Sequence, residues 1–297
     1  MKLIDPCRES GFSLQRCLPP AGLVSHVDNF QHIQMPQAGP LPRILPGNGA
    51  LCIIPCRSTL TLRDVHAGQQ HVLDEAFILC NRHHVLDLST DAPGQFFVIS
   101  FRPGRLRHFG AACFADLQDR VTPAYDLWHQ PVEPLSEQLA DSAGLTESTG
   151  LLGHFLSGLI QQNRQSHFDA LMDLLYLGPE RRISDLADDA GLSLRQFERV
   201  FTSTYGVTPK FFARVARLQR VARKLALEPT SSAALSALDA GFFDQSHFVH
   251  ELRKLADLSP AELACGMRER PHFYNPSSLQ RYSALLGKVL NDRPRLC

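Results

Sequence analysis

The sequence predicts an α+β multidomain protein, in which an antiparallel β barrel or sandwich is followed by an all-α domain. Three observations lead to this prediction. Before residue 130, Pro and Gly divide the chain into short apolar segments, which is typical of antiparallel β-structure. After that point, apolar residues recur every three or four positions, as they do in helices. The length of 297 residues is enough for about two domains.

The composition is that of an ordinary globular protein and limits the functions to consider. Hydrophobic residues make up 44% of the chain, and 30 Lys and Arg balance 30 Asp and Glu. No apolar segment reaches the roughly 18 residues of a membrane helix, and the charged start lacks the apolar stretch of a secretory signal. We therefore expect a cytoplasmic protein with no membrane partner. The eight cysteines include no CxxC pair, so neither a disulfide framework nor a zinc ribbon is predicted.

The β-strands of the first half are predicted from β-branched, aromatic and alternating residues. The segments concerned are 50–65, 72–80, 83–90 and 95–102. Cys52, Cys56 and Cys80 fall within them, where a thiol is usually buried and unreactive.

An amphipathic helix is predicted next, over residues 145–163. Its apolar stripe, which includes Leu145, Leu152 and Leu156, can pack against its own sheet. It can equally pair with a second copy to form a homodimer. The periodicity leaves both interpretations open.

From residue 168 onward the pattern is helical throughout. Seven helices are predicted, at 168–177, 182–190, 194–204, 209–227, 232–240, 245–255 and 260–268, and the tail at 277–290 is a candidate for an eighth. Glycine and proline residues supply the stops between them.

An internal repeat organises this helical half. The motif Ala-x3-Gly followed by an apolar residue occurs at 187–192 and again, fifty residues later, at 237–242. In each unit a short helix ends at a Gly, whose missing Cβ allows a left-handed turn. The helix that follows is apolar on one face and polar on the other. This arrangement predicts two helix-turn-helix units.

The exposed faces of both units carry groups that suit DNA recognition. The window 195–224 contains eight basic residues and one acidic residue, whereas residues 1–150 contain 11 basic and 15 acidic residues. Arg can pair with guanine and Gln with adenine. Ser193 and Asp244 are the predicted N-caps of the two recognition helices. The candidate DNA-binding residues are Arg195, Gln196, Arg199, Gln245, Ser246 and His250, and candidates for the DNA backbone are Arg220 and Arg253.

The helix predicted at 209–227 joins the two units. At 1.5 Å per residue it would be ~28 Å long, and successive major grooves on one face of DNA are ~34 Å apart. A helix of this length can therefore place two recognition helices in adjacent grooves. Its arginines, Arg220 among them, would then line part of the bipartite site.

Two segments, ISDLADDAGLSLRQFERVFTSTYGVTP (183–209) and AGFFDQSHFVHELRKLADLSPAEL (240–263), resemble the DNA-binding domain of the AraC/XylS family of transcription regulators. The resemblance implies two helix-turn-helix units, double-stranded DNA as partner, and RNA polymerase as a further partner if the protein is an activator. His250 stands where the family usually has Arg, and Ser236 where it usually has an aliphatic residue. Both departures imply a weaker second unit.

The N-terminal half resembles the small, cupin-like β-barrel domains that precede this DNA-binding domain in the family. The segments concerned are RILPGNGALCIIP (43–55) and VISFRPGRLRHFGA (98–111). Such domains bind a small-molecule effector or mediate dimerisation, so the resemblance implies one of these roles.

The expected organisation follows from these elements. Residues 1–130 form a sensory or dimerisation domain, 131–166 a linker with the amphipathic helix, 167–270 the DNA-binding domain, and 271–297 a helical tail. No cofactor and no catalytic residue is predicted.

Other functions remain as alternatives. A DNA-repair alkyltransferase can carry this type of DNA-binding domain, but the motif of its activated cysteine is not found. An effector-independent regulator that acts through protein partners is a further alternative. His66, His71 and Glu75 make the best local metal cluster, yet their spacing differs from that of a metal-binding cupin, so no metal is predicted. The three arginines within 102–107 are a candidate anion site or a polar loop.

Overall fold

The computed structural model of the protein describes residues 4–9, 12–110, 114–160, 167–228 and 231–269. The chain divides into two compact units, one of residues 1–162 with 255–257 and one of residues 163–254 with 258–297. The first contains two antiparallel sheets and the second consists of helices, which confirms the predicted α+β class. The candidate helix at 277–290 lies outside the described residues.

Eleven strands lie in the described part of the N-terminal unit. They are β1 Ile4–Glu9, β2 Phe12–Cys17, β3 Val27–Met35, β4 Gly39–Pro40, β5 Leu51–Cys56, β6 Leu60–Asp64, β7 Gln70–Leu73, β8 Phe77–Leu79, β9 Leu86–Thr90, β10 Gly94–Phe101 and β11 Val121–Pro123. One sheet has the order β1-β2-β3-β10-β5-β8-β11 and the other β4-β9-β6-β7. Among these strands neither sheet closes on itself, so the barrel alternative is replaced by two open sheets.

The larger sheet is buried on both faces. In β10, Phe97 and Ile99 belong to the main core cluster, while Phe96 and Val98, which point to the other face, are also buried. In β6 of the smaller sheet, Leu62 is buried and its neighbour Arg63 is exposed. One-sided burial of the smaller sheet indicates that it covers the second face of the larger one as a sandwich.

Four helices cover the first face of the larger sheet. They are α1 Phe114–Leu117, α2 Ala124–Trp128, α3 Glu133–Asp141 and α4 Leu145–Leu159. Leu152 and Leu156 of α4 are fully buried in the core that also contains Phe97. The apolar stripe therefore packs against its own sheet, and its buried side chains are not available to a dimer partner.

The strand boundaries differ from the predicted ones in several segments; the segment 72–80, for example, contains the end of β7 and all of β8. The segment 50–65 contains two strands because Arg57, with a φ of +50°, turns the chain after β5. Arg57 is held there by ion pairs with Glu137 and Asp141, both at 2.7 Å. The segment 83–90 becomes a strand only from Leu86.

Seven helices form the described part of the C-terminal unit. They are α5 His167–Leu177, α6 Ile183–Asp189, α7 Leu194–Tyr205, α8 Pro209–Leu227, α9 Ala233–Asp239, α10 Gln245–Ala256 and α11 Pro260–Glu269. Each predicted helix is confirmed to within one residue at either end. Within the described ranges, no helix is both long and apolar enough to cross a membrane.

Candidate nucleic-acid interface

The first helix-turn-helix unit consists of α6, the turn at Gly191 and α7. Gly191 has a φ of +67°, a left-handed conformation that suits a residue without a Cβ. The Leu192 N–H donates to the carbonyl of Ala187 at 2.9 Å and closes the turn. Phe197 and Phe201 of α7 are buried in an aromatic cluster, with ring centroids 5.8 Å apart. This packing fixes which face of α7 remains in solvent.

Arg195 and Arg199 lie on that solvent face, as the sequence predicts. Both side chains are exposed, and four residues of separation make them neighbours on a helix. The structure therefore brings together two guanidinium groups that could each donate a pair of hydrogen bonds to a guanine.

Gln196 has a structural role that sequence analysis did not assign to it. It forms a capping box with Ser193: the Ser193 N–H donates to Gln196 Oε1 at 3.1 Å, and Ser193 Oγ accepts from the Gln196 N–H at 3.4 Å. Ser193 Oγ also donates to Gln196 Oε1 at 2.8 Å. A bidentate pair with adenine requires the amide carbonyl to accept a hydrogen bond from the amino group of the base. Because that carbonyl caps the helix, bidentate adenine recognition does not fit this geometry.

The second unit consists of α9, the turn at Gly241 and α10. Gly241 has a φ of +89°, and the Phe242 N–H donates to the carbonyl of Ala237 at 3.1 Å. The carboxylate of Asp244 accepts from the His247 N–H at 2.7 Å, so Asp244 acts as the N-cap that the sequence predicts. Phe248 is fully buried. The turn is thus built like that of the first unit.

The predicted residues of the second unit also lie in solvent. Gln245, Ser246, His250 and Arg253 are all exposed. Ser246, His250 and Arg253 share one face of α10, because they are four and seven residues apart. Sequence analysis overlooked two apolar side chains beside them, Phe243 and Val249, which are 87% and 39% exposed.

The basic residues of α8 are mostly engaged within the protein. Arg220 Nη1 forms an ion pair with Glu180 Oε2 at 3.2 Å. Arg214 and Lys224 form ion pairs with Glu251 and Asp239. These pairs place acidic side chains beside Arg214, Arg220 and Lys224, and the contact of Arg220 with the DNA backbone stays a prediction.

Two further arginines of α8 pack on aromatic rings. The guanidinium of Arg217 lies 5.6 Å from the ring centre of Phe242, and that of Arg223 lies 4.8 Å from the ring centre of Tyr176. Desolvation by burial lowers the pKa of Arg217. These contacts attach the second helix-turn-helix unit, through Phe242, and α5, through Tyr176, to α8.

The residues that suggested an enzyme, an anion site or a metal site lie in the N-terminal unit. Burial raises the pKa of Cys56 to about 11 and that of Cys80 to about 12. In the segment 102–107, Arg102 and Arg105 are 4% and 0% exposed, so this segment is not a polar surface loop. In the described part of the chain, no group of three His, Cys, Asp or Glu residues is arranged to hold a metal ion.

Comparison with known proteins finds a family match within the helical unit. Residues 186–264 match the family described as "Helix-turn-helix domain". The HTH-type transcriptional regulator ExsA of Pseudomonas aeruginosa is 30% identical over 120 residues, which cover 39% of this chain and 42% of that protein. The match thus spans about two fifths of the curated relative.

Comparison with solved structures finds matches at low sequence identity. A crystal structure of unsaturated fatty acid bound wild-type ToxT from Vibrio cholerae is 14% identical, covers 79% of this chain and 94% of its own, and has a TM-score of 0.48. The Cupin_2 domain of an XRE family transcriptional regulator from Enterobacter cloacae is 10% identical, covers 32% of this chain and 99% of its own, and has a TM-score of 0.26.

The family match spans both turns and the helix that joins them. Residues 186–264 run from α6 to α11 and include every candidate DNA-binding residue. The resemblance to the AraC/XylS family is thereby confirmed, and this chain carries a helix-turn-helix domain of the AraC type.

Proposed function

We propose that the protein regulates transcription by binding a specific double-stranded DNA site, with α7 and α10 in two adjacent major grooves. The observation that carries the proposal is that both recognition helices expose polar faces within one compact unit. A single polar helix would be an ordinary protein surface. Two in matching register, each preceded by a glycine turn and a capped N-terminus, have the architecture of a bipartite DNA reader.

The joining helix supports this proposal by fixing the relative position of the two readers. Helix α8 has 19 residues, which corresponds to ~28 Å at the standard helical rise. Arg214 pairs with Glu251 of α10, and Arg220 pairs with Glu180 next to α6. Ion pairs on both sides of α8 thus oppose rotation of either unit about it.

The proposed roles of the individual residues follow from their chemistry. Arg195 and Arg199 recognise guanines, and Gln245, Ser246 and His250 contact bases in the second groove. The amide N–H group of Gln196 can donate to a base acceptor while its carbonyl keeps the cap. Arg253, at the exposed end of the α10 face, contacts the DNA backbone. Arg220 has at most a minor role, because Glu180 already neutralises it.

The N-terminal unit is proposed to control this binding through a small-molecule effector. Its support is its construction as a separate compact unit with its own core and a net acidic sequence. A regulator of this kind acts in the cytoplasm beside the DNA, and contacts RNA polymerase if it activates. If one specific compound raises the melting temperature, effector control is supported; if no metabolite in a broad panel does, control through protein partners is favoured.

The test of the proposed function is selection of DNA fragments from the genome of origin by the full chain. We expect a few fragments to be retained well above random DNA, with affinity that falls steeply as salt rises, because bound phosphates release counterions. Equal affinity for every fragment at ~0.15 M salt would overturn the proposal.

Single variants then separate base recognition from backbone contact. Arg199→Ala should cost about 1–3 kcal/mol on the selected site and relax the preference at one base pair. Arg220→Ala should have a smaller effect that is the same for all sequences. The matched control is Arg63→Ala, which removes an exposed arginine from β6 in the other unit and should leave binding unchanged. If Arg199→Ala weakens all sequences equally, this residue contacts only the backbone.

A further inference from the structure

We infer that the second helix-turn-helix unit recognises thymine methyl groups through Val249 and Phe243, so that the two halves of the DNA site differ in base composition. This inference rests on the proposed function. It assigns a specificity role to two side chains that are exposed, apolar and adjacent to the predicted hydrogen-bond donors.

The position of Val249 on α10 is the first step of the argument. Ser246, Val249, His250 and Arg253 follow the spacing of one helix face, since they lie three, four and seven residues from the first of them. Val249 is 39% exposed although valine is usually buried, and Phe248 beside it is fully buried. When Ser246 and His250 approach bases, the valine between them must approach the same groove floor.

Phe243 lies just before the N-terminal end of α10, the end that would reach the base edges in the proposed complex. It directly precedes the N-cap Asp244, and its own N–H donates to His247 Nδ1 at 3.4 Å, which ties its backbone to the first turn of α10. Its side chain is 87% exposed. In helix-turn-helix proteins the N-terminal residues of the recognition helix contact the base edges, so this ring is placed at the proposed interface.

The chemical groups in the major groove determine what Val249 and Phe243 can contact. The edges of bases in the major groove present hydrogen-bond donors and acceptors and one apolar group, the C5 methyl of thymine. An isopropyl group and a phenyl ring form no hydrogen bonds with the polar base edges. Contact with a methyl group favours binding, because both apolar surfaces are then removed from water.

The first helix-turn-helix unit has a charged residue, not an apolar one, at the position equivalent to Val249. The repeat places Glu198 of α7 where α10 has Val249, and Glu198 is exposed between Arg195 and Arg199. A carboxylate accepts from the amino group of cytosine, and arginine donates to guanine. The side chains of α7 therefore favour G·C pairs, while Val249, Phe243 and Gln245 favour A·T pairs.

The experiment uses the full chain and its selected DNA site, in which each thymine of one half-site is replaced in turn by deoxyuridine. This change removes only the methyl group. The half-site of the first unit is the one where Arg199→Ala relaxes a guanine preference, and the other half belongs to the second unit. We expect one or two deoxyuridines there to weaken binding about fourfold, since a group of this size contributes ~0.8 kcal/mol when buried.

The variants assign each methyl group to a side chain. Val249→Ala and Phe243→Ala should each bind the thymine and deoxyuridine forms equally at one position and keep their sensitivity elsewhere. The matched control is Val72→Ala, which truncates a 64% exposed valine in β7 and should retain the full thymine preference.

Three outcomes would overturn the inference, and they can be distinguished from one another. If every deoxyuridine is tolerated in the second half-site while the guanines of the first remain essential, the thymine inference is wrong and the proposed function stands. The same holds if Val249→Ala and Phe243→Ala change the self-association of the protein, measured by light scattering, but not its thymine preference. The apolar surface would then bind a second copy, together with the exposed Leu235 and Leu238. Absence of any sequence-specific binding would overturn both proposals.

Discussion

The two helix-turn-helix units bury different residues at equivalent positions. In the first unit, Leu186 of α6 is 1% exposed and packs in a cluster with Phe197 and Phe201. In the second unit the same place holds Ser236, which is fully buried and whose hydroxyl has no hydrogen-bond partner among the described residues. The first unit is thus stabilised by apolar packing, and the second has a small polar group in the middle of α9.

The second unit is attached to α8 by polar and cation–π contacts that compensate for this packing. Arg214 and Lys224 pair with its acidic residues, and Arg217 lies over the ring of Phe242. The difference shows that one backbone pattern can be held in two ways. It also implies that the second unit opens more readily, because a hydroxyl buried without a partner costs free energy.

The largest expected effect comes from substitution of the two equivalent residues by the same one. Leu186→Ala should lower the free energy of unfolding of the helical unit by about 3 kcal/mol, because it leaves a cavity in a closed core. Ser236→Ala should raise it by up to about 1 kcal/mol, since it removes an unpaired buried hydroxyl. Hydrogen exchange of the amides of α6 and α9 measures both changes. Equal destabilisation by the two variants would mean that the units are packed alike.

A smaller effect is expected when the ion pair between α8 and α10 is broken. The side chains of Arg214 and Glu251 are 19% and 12% exposed. Glu251→Gln should therefore destabilise the second unit by roughly 2 kcal/mol, less than the loss of a fully buried pair, and should leave the exchange of α7 amides unchanged. The control is Asp87→Asn, which breaks the exposed pair with Arg43 and should change stability by less than ~1 kcal/mol. The comparison fails if α7 and α10 lose protection together.

The smallest expected effect distinguishes the two glycine turns. Gly191→Ala should cost about 1 kcal/mol, because an alanine at positive φ is strained while no atom lies within 4 Å of the added Cβ. Gly241→Ala should cost more, since its Cβ would also lie 3.0 Å from the Cβ of Glu180. Urea unfolding followed by the circular dichroism of the helices measures both. An equal cost would show that Glu180 moves aside easily.

Sequence reasoning recovered the helical unit because its information is local. Periodicity, Gly191, Gly206 and the Ser193 and Thr208 caps define each helix from residues a few positions apart. The roles of Arg214 and Arg220 could not be predicted, since their partners Glu251 and Glu180 lie 37 and 40 residues away along the chain. The net charge of the window 195–224 can be read from the sequence, but the directions in which its side chains point cannot.

The β unit was harder for the same physical reason. Strand β10 pairs with β3, placing Phe97 opposite His32, and such long-range pairing leaves no local pattern. Strand β3 itself escaped prediction because Asn29, Gln31 and other polar residues interrupt its apolar positions. Helix α3 begins with Pro134 in its first turn, a position where proline starts a helix but is easily taken for a break.

The contacts of Glu180 bear on the spacing of the two half-sites in the proposed DNA complex. Glu180 pairs with Arg220 and also lies against the turn at Gly241, so it links the entry of the first unit to the middle of the second. If both helix-turn-helix units bind DNA, the protein then fixes the distance and the helical phase between the two half-sites. One inserted base pair between the half-sites would shift one half by ~3.4 Å and turn it by about 35°. Base substitutions should weaken such a promoter gradually, whereas a single inserted base pair should remove half of its recognition at once.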